Sequence, residues 1–249
     1  MLWVLDLDGV VWLAGRPIPG APETVRRLRH AGERVLFLTN NAGPTLAEHV
    51  ATLERAGVEA VADELVTSAQ AAASMLPPGS TAAMVGGPGL HEALVARGVE
   101  VVAPAASPAA VVAGRSPQLD YDELARASTA IRDGARFVAT NTDATFPTPD
   151  GVVPGAGAVI AYLQVASGRQ AEVAGKPHPP VADLVRARGG EVGVMVGDRP
   201  ETDGRFAELA GAPFALVLTG VTTRADLPVT PAAAYVGADL AAVVDQILG

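Results

Sequence analysis

Cysteine is absent from the 249-residue chain, which excludes disulfides, thiolate zinc sites and cysteine nucleophiles. Aromatic residues amount to only 4%, and with no basic run beside them a nucleic-acid groove is not expected. Positive charge is scarce too: 27 acidic residues against 18 basic ones give a formal net charge of −9, which favours a small ligand over a polyanionic partner. No apolar run is long enough to span a bilayer, since the longest, Val99 to Gly114, is interrupted by Pro104 and Pro108. The N-terminus shows no basic segment, long apolar segment and cleavage site in series. These absences predict a soluble, cytoplasmic protein with no membrane partner, and leave a homodimer open. The rarest residue is the most informative: seventeen of the eighteen basic residues are Arg, and the single Lys is Lys176, within Gly175-Lys176-Pro177.

What is present is core material, with 49% of residues hydrophobic. Four short apolar runs, Leu2 to Leu7, Val35 to Leu38, Val192 to Val196 and Ala215 to Leu218, have the composition of buried parallel strands. Helical spacing predicts helices over 22–32, with Val25, Leu28 and Ala31 inward, and over 45–56, with Leu46, Val50 and Leu53 inward. Further helices are predicted over 179–188, 201–210 and 239–248. Alternation of this kind predicts an α/β fold built on a Rossmann-like doubly wound parallel sheet. A second α/β unit is predicted between Pro77-Pro78-Gly79 and Ser167-Gly168-Arg169, with strands near 81–85, 99–102, 110–113 and 137–140 and helices near 90–97 and 121–132. The expected division is a core over 1–78 and 170–249 with an inserted domain over 79–169.

In an open α/β sheet, ligands sit beyond the carboxyl ends of the strands. Here those ends read Asp6-Leu7-Asp8-Gly9-Val10, Thr39-Asn40-Asn41 and Gly197-Asp198-Arg199-Pro200-Glu201-Thr202-Asp203, and Lys176 follows another short apolar segment. Carboxylates gathered at one rim raise one another's pKa unless a cation sits among them. Mg²⁺ is the expected cation, because it takes oxygen ligands and is commonly held by one or two carboxylates with substrate phosphate. Asp6 and Asp198 suit that role, with the Asp8 carbonyl as a further oxygen. Strand alternation would aim Asp6 and Asp8 to the same side, and Gly9 would let the chain turn. His30, His49, His91 and His178 are not expected to be ligands. His91-Glu92 starts like a zinc-protease motif, but Val95 stands where its second His belongs. Neither a phosphate-binding Gly-x-x-x-x-Gly-Lys loop nor a Gly-x-Ser-x-Gly elbow is present.

The series Asp6-x-Asp8-Gly9-Val10, Thr39-Asn40-Asn41, Gly175-Lys176-Pro177 and Gly197-Asp198-Arg199-x-x-Thr202-Asp203 resembles, in order and spacing, the four motifs of the haloacid dehalogenase superfamily. Val138-Ala139-Thr140-Asn141-x-Asp143, Pro154-Gly155-x-Gly157 and Leu218-Thr219-Gly220-Val221 resemble the branch of NagD-type, 4-nitrophenyl, phosphoglycolate and pyridoxal phosphatases, which carries a large α/β cap of the C2 type between the second and third motifs. The resemblance implies hydrolysis of small-molecule phosphomonoesters, with phosphoryl mutase and non-turnover phosphate sensor as alternatives. It implies Asp6 as nucleophile and metal ligand, Asp8 as general acid then base, and Mg²⁺ held by Asp6, Asp8 and Asp198. Thr39, Asn40, Asn41 and Lys176 would bind the phosphoryl group, and Asp203 would orient Lys176 or a metal-bound water. A cap would close on substrate and exclude water, so specificity is expected in residues 79–169, with the loop 141–147 as its candidate. Phe146 stands where pyridoxal phosphatases carry a His, which disfavours pyridoxal phosphate as substrate.

Overall fold

The computed structural model describes residues 1–13, 16–116, 118–148 and 150–249. The chain first forms β1 (Leu2–Leu5), the short β2 (Trp12–Leu13) and β3 (Arg16–Pro17), α1 (Ala21–His30), β4 (Arg34–Thr39), α2 (Leu46–Arg55) and β5 (Leu65–Thr67). There follow α3 (Ser68–Ser74), β6 (Thr81–Val85), α4 (Pro88–Ala96), β7 (Glu100–Val101), β8 (Ala110–Ala113), α5 (Tyr121–Arg132), β9 (Arg136–Ala139), β10 (Thr145–Thr148), β11 (Gly151–Pro154), α6 (Ala156–Ser167) and β12 (Glu172–Val173). The last third supplies α7 (Pro179–Gly189), β13 (Val194–Gly197), α8 (Arg205–Ala210), β14 (Phe214–Val217), β15 (Tyr235–Gly237) and α9 (Leu240–Leu248).

Contacts divide these elements into two units, Met1–Thr39 with Ala47–Val66 and Lys176–Gly249, and Asn40–Leu46 with Thr67–Gly175. The second unit is therefore wider than the expected 79–169. Two short elements widen it: α3 packs on α4, and β12 pairs with β9 through Glu172 and Val173.

In the first unit the sheet order is β15-β14-β13-β1-β4-β5. β1 lies parallel to both β13 and β4, and β14 and β15 continue in parallel beyond β13. The chain builds outward from β1 in one direction first and in the other after its return, so the winding reverses at β1. The crevice of a doubly wound sheet opens at that place. All four residues of β1 are buried, which accounts for a continuous apolar run instead of an alternating one. The strand stops at Leu5, two residues before the predicted end. Asp6 still continues the ladder while Asp8 lies in the turn that follows, so strand alternation does not relate the two.

Helix α1 buries Ala21, Thr24, Val25 and Leu28. Its start is set by Gly20 at φ 82° and by Pro22 in the first turn, and its last turn carries Arg27, Arg29 and His30 where cations favour the dipole. Ala31, expected inward, is the exposed residue that ends the helix. In α2, Leu53 is buried as expected and so is His49, while Leu46 and Val50 are only partly covered.

The second unit carries a five-stranded parallel sheet of order β12-β9-β8-β6-β7. Its core packs Leu124, Ala127 and Ile131 of α5 and Val159, Ile160 and Leu163 of α6 on Val111, Ala113, Phe137 and Ala139. Asp120 caps α5 by accepting from the Glu123 amide at 2.8 Å. An antiparallel hairpin of β10 and β11 pairs Phe146 with Val153.

Candidate active site

The residues that end the central strands of the first unit form a buried ionic cluster. The Asp6 amide donates to the Val196 carbonyl at 2.9 Å, continuing the ladder one residue past β1, and the residue is 7% exposed. On the neighbouring strand, Gly197 ends β13 and delivers Asp198, which is 2% exposed. The chain then enters a π-turn over Pro200–Gly204 instead of the regular helix expected from residue 201. That wider turn, a device common at functional sites, folds Asp203 back. Its Oδ2 accepts from the Arg199 amide at 3.0 Å while its own amide donates to the Arg199 carbonyl at 2.8 Å.

Lys176, the single lysine, is 3% exposed and places its ammonium inside this cluster. Nζ donates to Asp203 Oδ1 at 2.6 Å and to the Leu38 carbonyl at 3.4 Å, and pairs with Asp6 Oδ1 at 2.8 Å. Thr39, at the end of β4, is 2% exposed.

The turn after β1 holds the second acid. Gly9 has φ 83°, a left-handed conformation open to glycine. A Cβ there would lie 2.6 Å from Asp198 Cγ, so the turn and the acid at β13 need that glycine for space as well. Thr219 Oγ1 donates to the Gly9 carbonyl at 2.5 Å, and the Val221 amide donates to Asp198 Oδ2 at 2.6 Å. The segment 219–221 thus ties the two strand ends together, a role its sequence did not announce. Trp12, which sequence reasoning did not single out, donates its indole N–H to Asp8 Oδ1 at 3.1 Å.

Asn40 and Asn41 fall in the second unit. There Asn40 Nδ2 donates to both oxygens of Asp143 at 3.1 and 3.2 Å, and Asn41 Oδ1 accepts from the Gly43 amide at 3.2 Å. The site residues read from the sequence therefore separate into Asp6, Asp8, Thr39, Lys176, Asp198 and Asp203 in the first unit and Asn40 and Asn41 in the second.

Three buried carboxylates face one buried ammonium, an excess of two negative charges. Burial pushes the Asp6 carboxyl well above the usual carboxylate range; Lys176 pulls it back, and Asp203 and Asp198 push it further up. Burial also raises Asp198, to about 6, helped by Asp203 and opposed by the Val221 amide. Burial works against the Lys176 cation, but Asp203 and Asp6 outweigh it and hold the ammonium above its ordinary range.

The donor set fits a hard divalent cation. One carboxylate oxygen from each of Asp6, Asp198 and Asp203 lies within 4.8 Å of the others. Asp203 is engaged by Lys176 and the Arg199 amide, whereas Asp198 Oδ1 is buried with no hydrogen-bond partner. An orphaned buried carboxylate oxygen is costly, and a divalent ion would satisfy it and balance the excess charge. Among the described residues no helix is long and apolar enough to cross a membrane.

Residues 3–100 match the family model of haloacid dehalogenase-like hydrolases, and residues 173–243 match a second model of the same kind. The D-glycerol 3-phosphate phosphatase of Mycobacterium tuberculosis is 40% identical over 229 residues, which cover 90% of this chain and 64% of that relative, so the chain spans just under two thirds of its length. Among solved structures, a glycerol phosphate phosphatase from Mycobacterium tuberculosis in complex with magnesium superposes with a TM-score of 0.91 at 38% identity, over 97% of this chain and 75% of that one. The p-nitrophenyl phosphatase of Archaeoglobus fulgidus also reaches 0.91, at 29% identity over 98% of both chains.

Proposed function

The chain belongs to the haloacid dehalogenase-like hydrolases, and from that premise we propose that it is a Mg²⁺-dependent phosphatase acting on small-molecule phosphomonoesters through an aspartyl-phosphate. The observation that carries this reading is Asp6, a buried carboxylate held at 2.8 Å by Lys176 and set within 4.8 Å of a carboxylate oxygen of Asp198, whose Oδ1 is orphaned. A carboxylate must be ionised to attack phosphorus, and burial works against ionisation unless cations adjoin it. The magnesium-bound relative and the nitrophenyl and glycerol phosphatase relatives support the same reading.

Asp6, Asp198 and the Asp8 carbonyl would hold Mg²⁺, which when bound neutralises charge on the phosphoryl oxygens. Asp6 attacks the phosphorus in line. The bond from phosphorus to the ester oxygen breaks as Asp8 passes a proton to that oxygen, and the alcohol leaves. Water then attacks the aspartyl-phosphate, Asp8 takes its proton, and the bond from Asp6 to phosphorus breaks, restoring both acids. The Thr39 hydroxyl and the Lys176 ammonium bind the phosphoryl oxygens, where most of the protein's contribution to this reaction is made. Asp203 keeps the ammonium aimed at Asp6. Asn40 Nδ2 donates to Asp143 and Asn41 Oδ1 accepts from the Gly43 amide; their proposed role is the phosphate contact that the family resemblance implies.

The test is hydrolysis of 4-nitrophenyl phosphate with Mg²⁺, repeated after EDTA and with Asp6→Asn. Activity is expected to vanish with EDTA, to return on adding Mg²⁺, and to fall at least about a thousandfold in the variant. A well-folded Asp6→Asn protein that retains substantial hydrolysis would overturn the covalent route.

A further inference from the structure

Trp12 is 5% exposed, yet its residue type has no part in the chemistry described so far. The turn that carries it is tightly closed. The Leu7 carbonyl accepts from the amides of Val10, Val11 and Trp12 at 3.3, 2.9 and 3.1 Å, and the Gly9 amide donates to the Trp12 carbonyl at 2.6 Å. Beyond the turn, Trp12 pairs with Pro17 in the β2–β3 ribbon. Thr219 pins the apex through the Gly9 carbonyl. The indole is thereby fixed four residues after Asp8, with Nε1 at 3.1 Å from Oδ1.

An indole N–H can donate and can never accept. Asp8 Oδ1 therefore faces Trp12 as an acceptor in either protonation state, and because the carbonyl oxygen of a carboxylic acid accepts better than its hydroxyl oxygen, the contact biases a proton on Asp8 towards Oδ2. We propose that Trp12 is a positioning residue that selects Oδ2 of Asp8 as the oxygen that delivers the proton to the leaving alcohol. This rests on the assignment of Asp8 as general acid. Atoms balance as before: the proton leaves Oδ2 for the ester oxygen as the phosphorus–oxygen bond breaks, and Trp12 keeps its own N–H throughout.

A role in aiming a proton differs from a role in packing through the leaving group it affects. Nitrophenolate departs readily without protonation, whereas an alkoxide needs the proton. The parameter kcat/KM covers steps up to departure of the alcohol, before water attacks, and so isolates this event. Trp12→Phe keeps most of the buried ring and removes the donor. In a series from 4-nitrophenyl phosphate to glycerol phosphate, Trp12→Phe is expected to lower kcat/KM about tenfold for the alkyl ester and less than about twofold for the nitrophenyl ester. Equal losses on both esters, or no loss on either, would overturn the proposal while leaving the phosphatase reading intact. Failure of the wild-type protein to hydrolyse either ester would overturn both.

A second measurement stands whether or not the variant folds. The chain has two tryptophans, and the Trp3 indole N–H is buried with no hydrogen-bond partner. In the ¹H–¹⁵N spectrum of the wild-type protein, the Trp12 indole proton is expected downfield of Trp3 and is expected to move upfield in Asp8→Ala. An unmoved Trp12 resonance would overturn the proposal.

Discussion

The two units are built on the same plan, a parallel sheet wrapped by helices, yet their buried polar groups differ in kind. In the first unit Asp6, Lys176, Asp198 and Asp203 are buried together in one ionic cluster. In the second, the buried polar residues among those described, Asn40, Thr67, Ser68, Ser128, Thr140, Asn141 and Ser167, carry no ionisable group. The second pattern is what stability alone produces: hydroxyls and amides that satisfy backbone, as Ser128 does with the Leu124 carbonyl at 2.7 Å. The first pattern costs folding free energy, and its cost is understood only through chemistry. Architecture does not distinguish the sheet that carries the candidate site from the other one; the buried charges do.

The strongest way to break the comparison is to remove the cation from the first unit. Lys176→Met leaves Asp6 and Asp203 facing each other without their shared partner. We expect a loss of about 3–5 kcal/mol in denaturant unfolding of the metal-free protein near pH 7, with hydrolysis lost together with stability. The destabilisation should shrink in acid, where Asp6 takes up a proton. A variant as stable as wild type at pH 7 would mean that the ammonium contributes nothing to the buried cluster.

A gentler test uses pH and metal. The folded carboxyl of Asp198 is raised from 3.8 to about 6, so the contribution it makes is complete below pH 3.8 and is lost as pH rises through about 6. The metal-free protein should therefore lose about 1–3 kcal/mol from this group between pH 4 and pH 7.5. Mg²⁺ binds the ionised form, so the rise in Tm on adding it should be larger at pH 7.5 than at pH 5. Equal rises at both values would place the metal away from Asp198.

The smallest effect is expected in the second unit. Ser128→Ala removes one hydroxyl that bonds back along its own helix, and should change unfolding free energy by no more than about 1 kcal/mol while leaving kcat unchanged. A collapse of activity in this variant would erase the distinction between the two sheets.

Much of the first sheet is legible from sequence because its central strands are continuous apolar runs ending in acids, and Lys176 stands out by being alone. The same reasoning stops two residues too late in β1, because Leu7 is as buried as the strand itself although it lies in a turn. Helix α6 escaped because Ala156–Ser167 is apolar nearly all round and contains Val159 and Ile160, so no single helical stripe emerges. β12 has two residues and β15 three, too few for any period to show. The π-turn at Pro200–Gly204 reads as ordinary helix, since one extra residue per turn leaves no mark in composition. Contacts between distant residues were the least accessible: Asn40 and Asp143 meet across 103 positions, and Thr219 reaches Gly9 across 210. The contact of Trp12 with Asp8, only four residues apart, depends on the tight turn between them, which residue types alone do not show.

The burial of Lys176 reaches beyond catalysis. With every other basic side chain a guanidinium, no lysine amine of these 249 residues is left on the surface. Acetylation, ubiquitination and glycation at lysine therefore have one target here, and it sits inside the ion pairs that fold the site. Whatever adjusts this protein in its host, tuning by graded lysine modification is closed to it: the modification that succeeds would also take the buried ionic cluster of the candidate site apart.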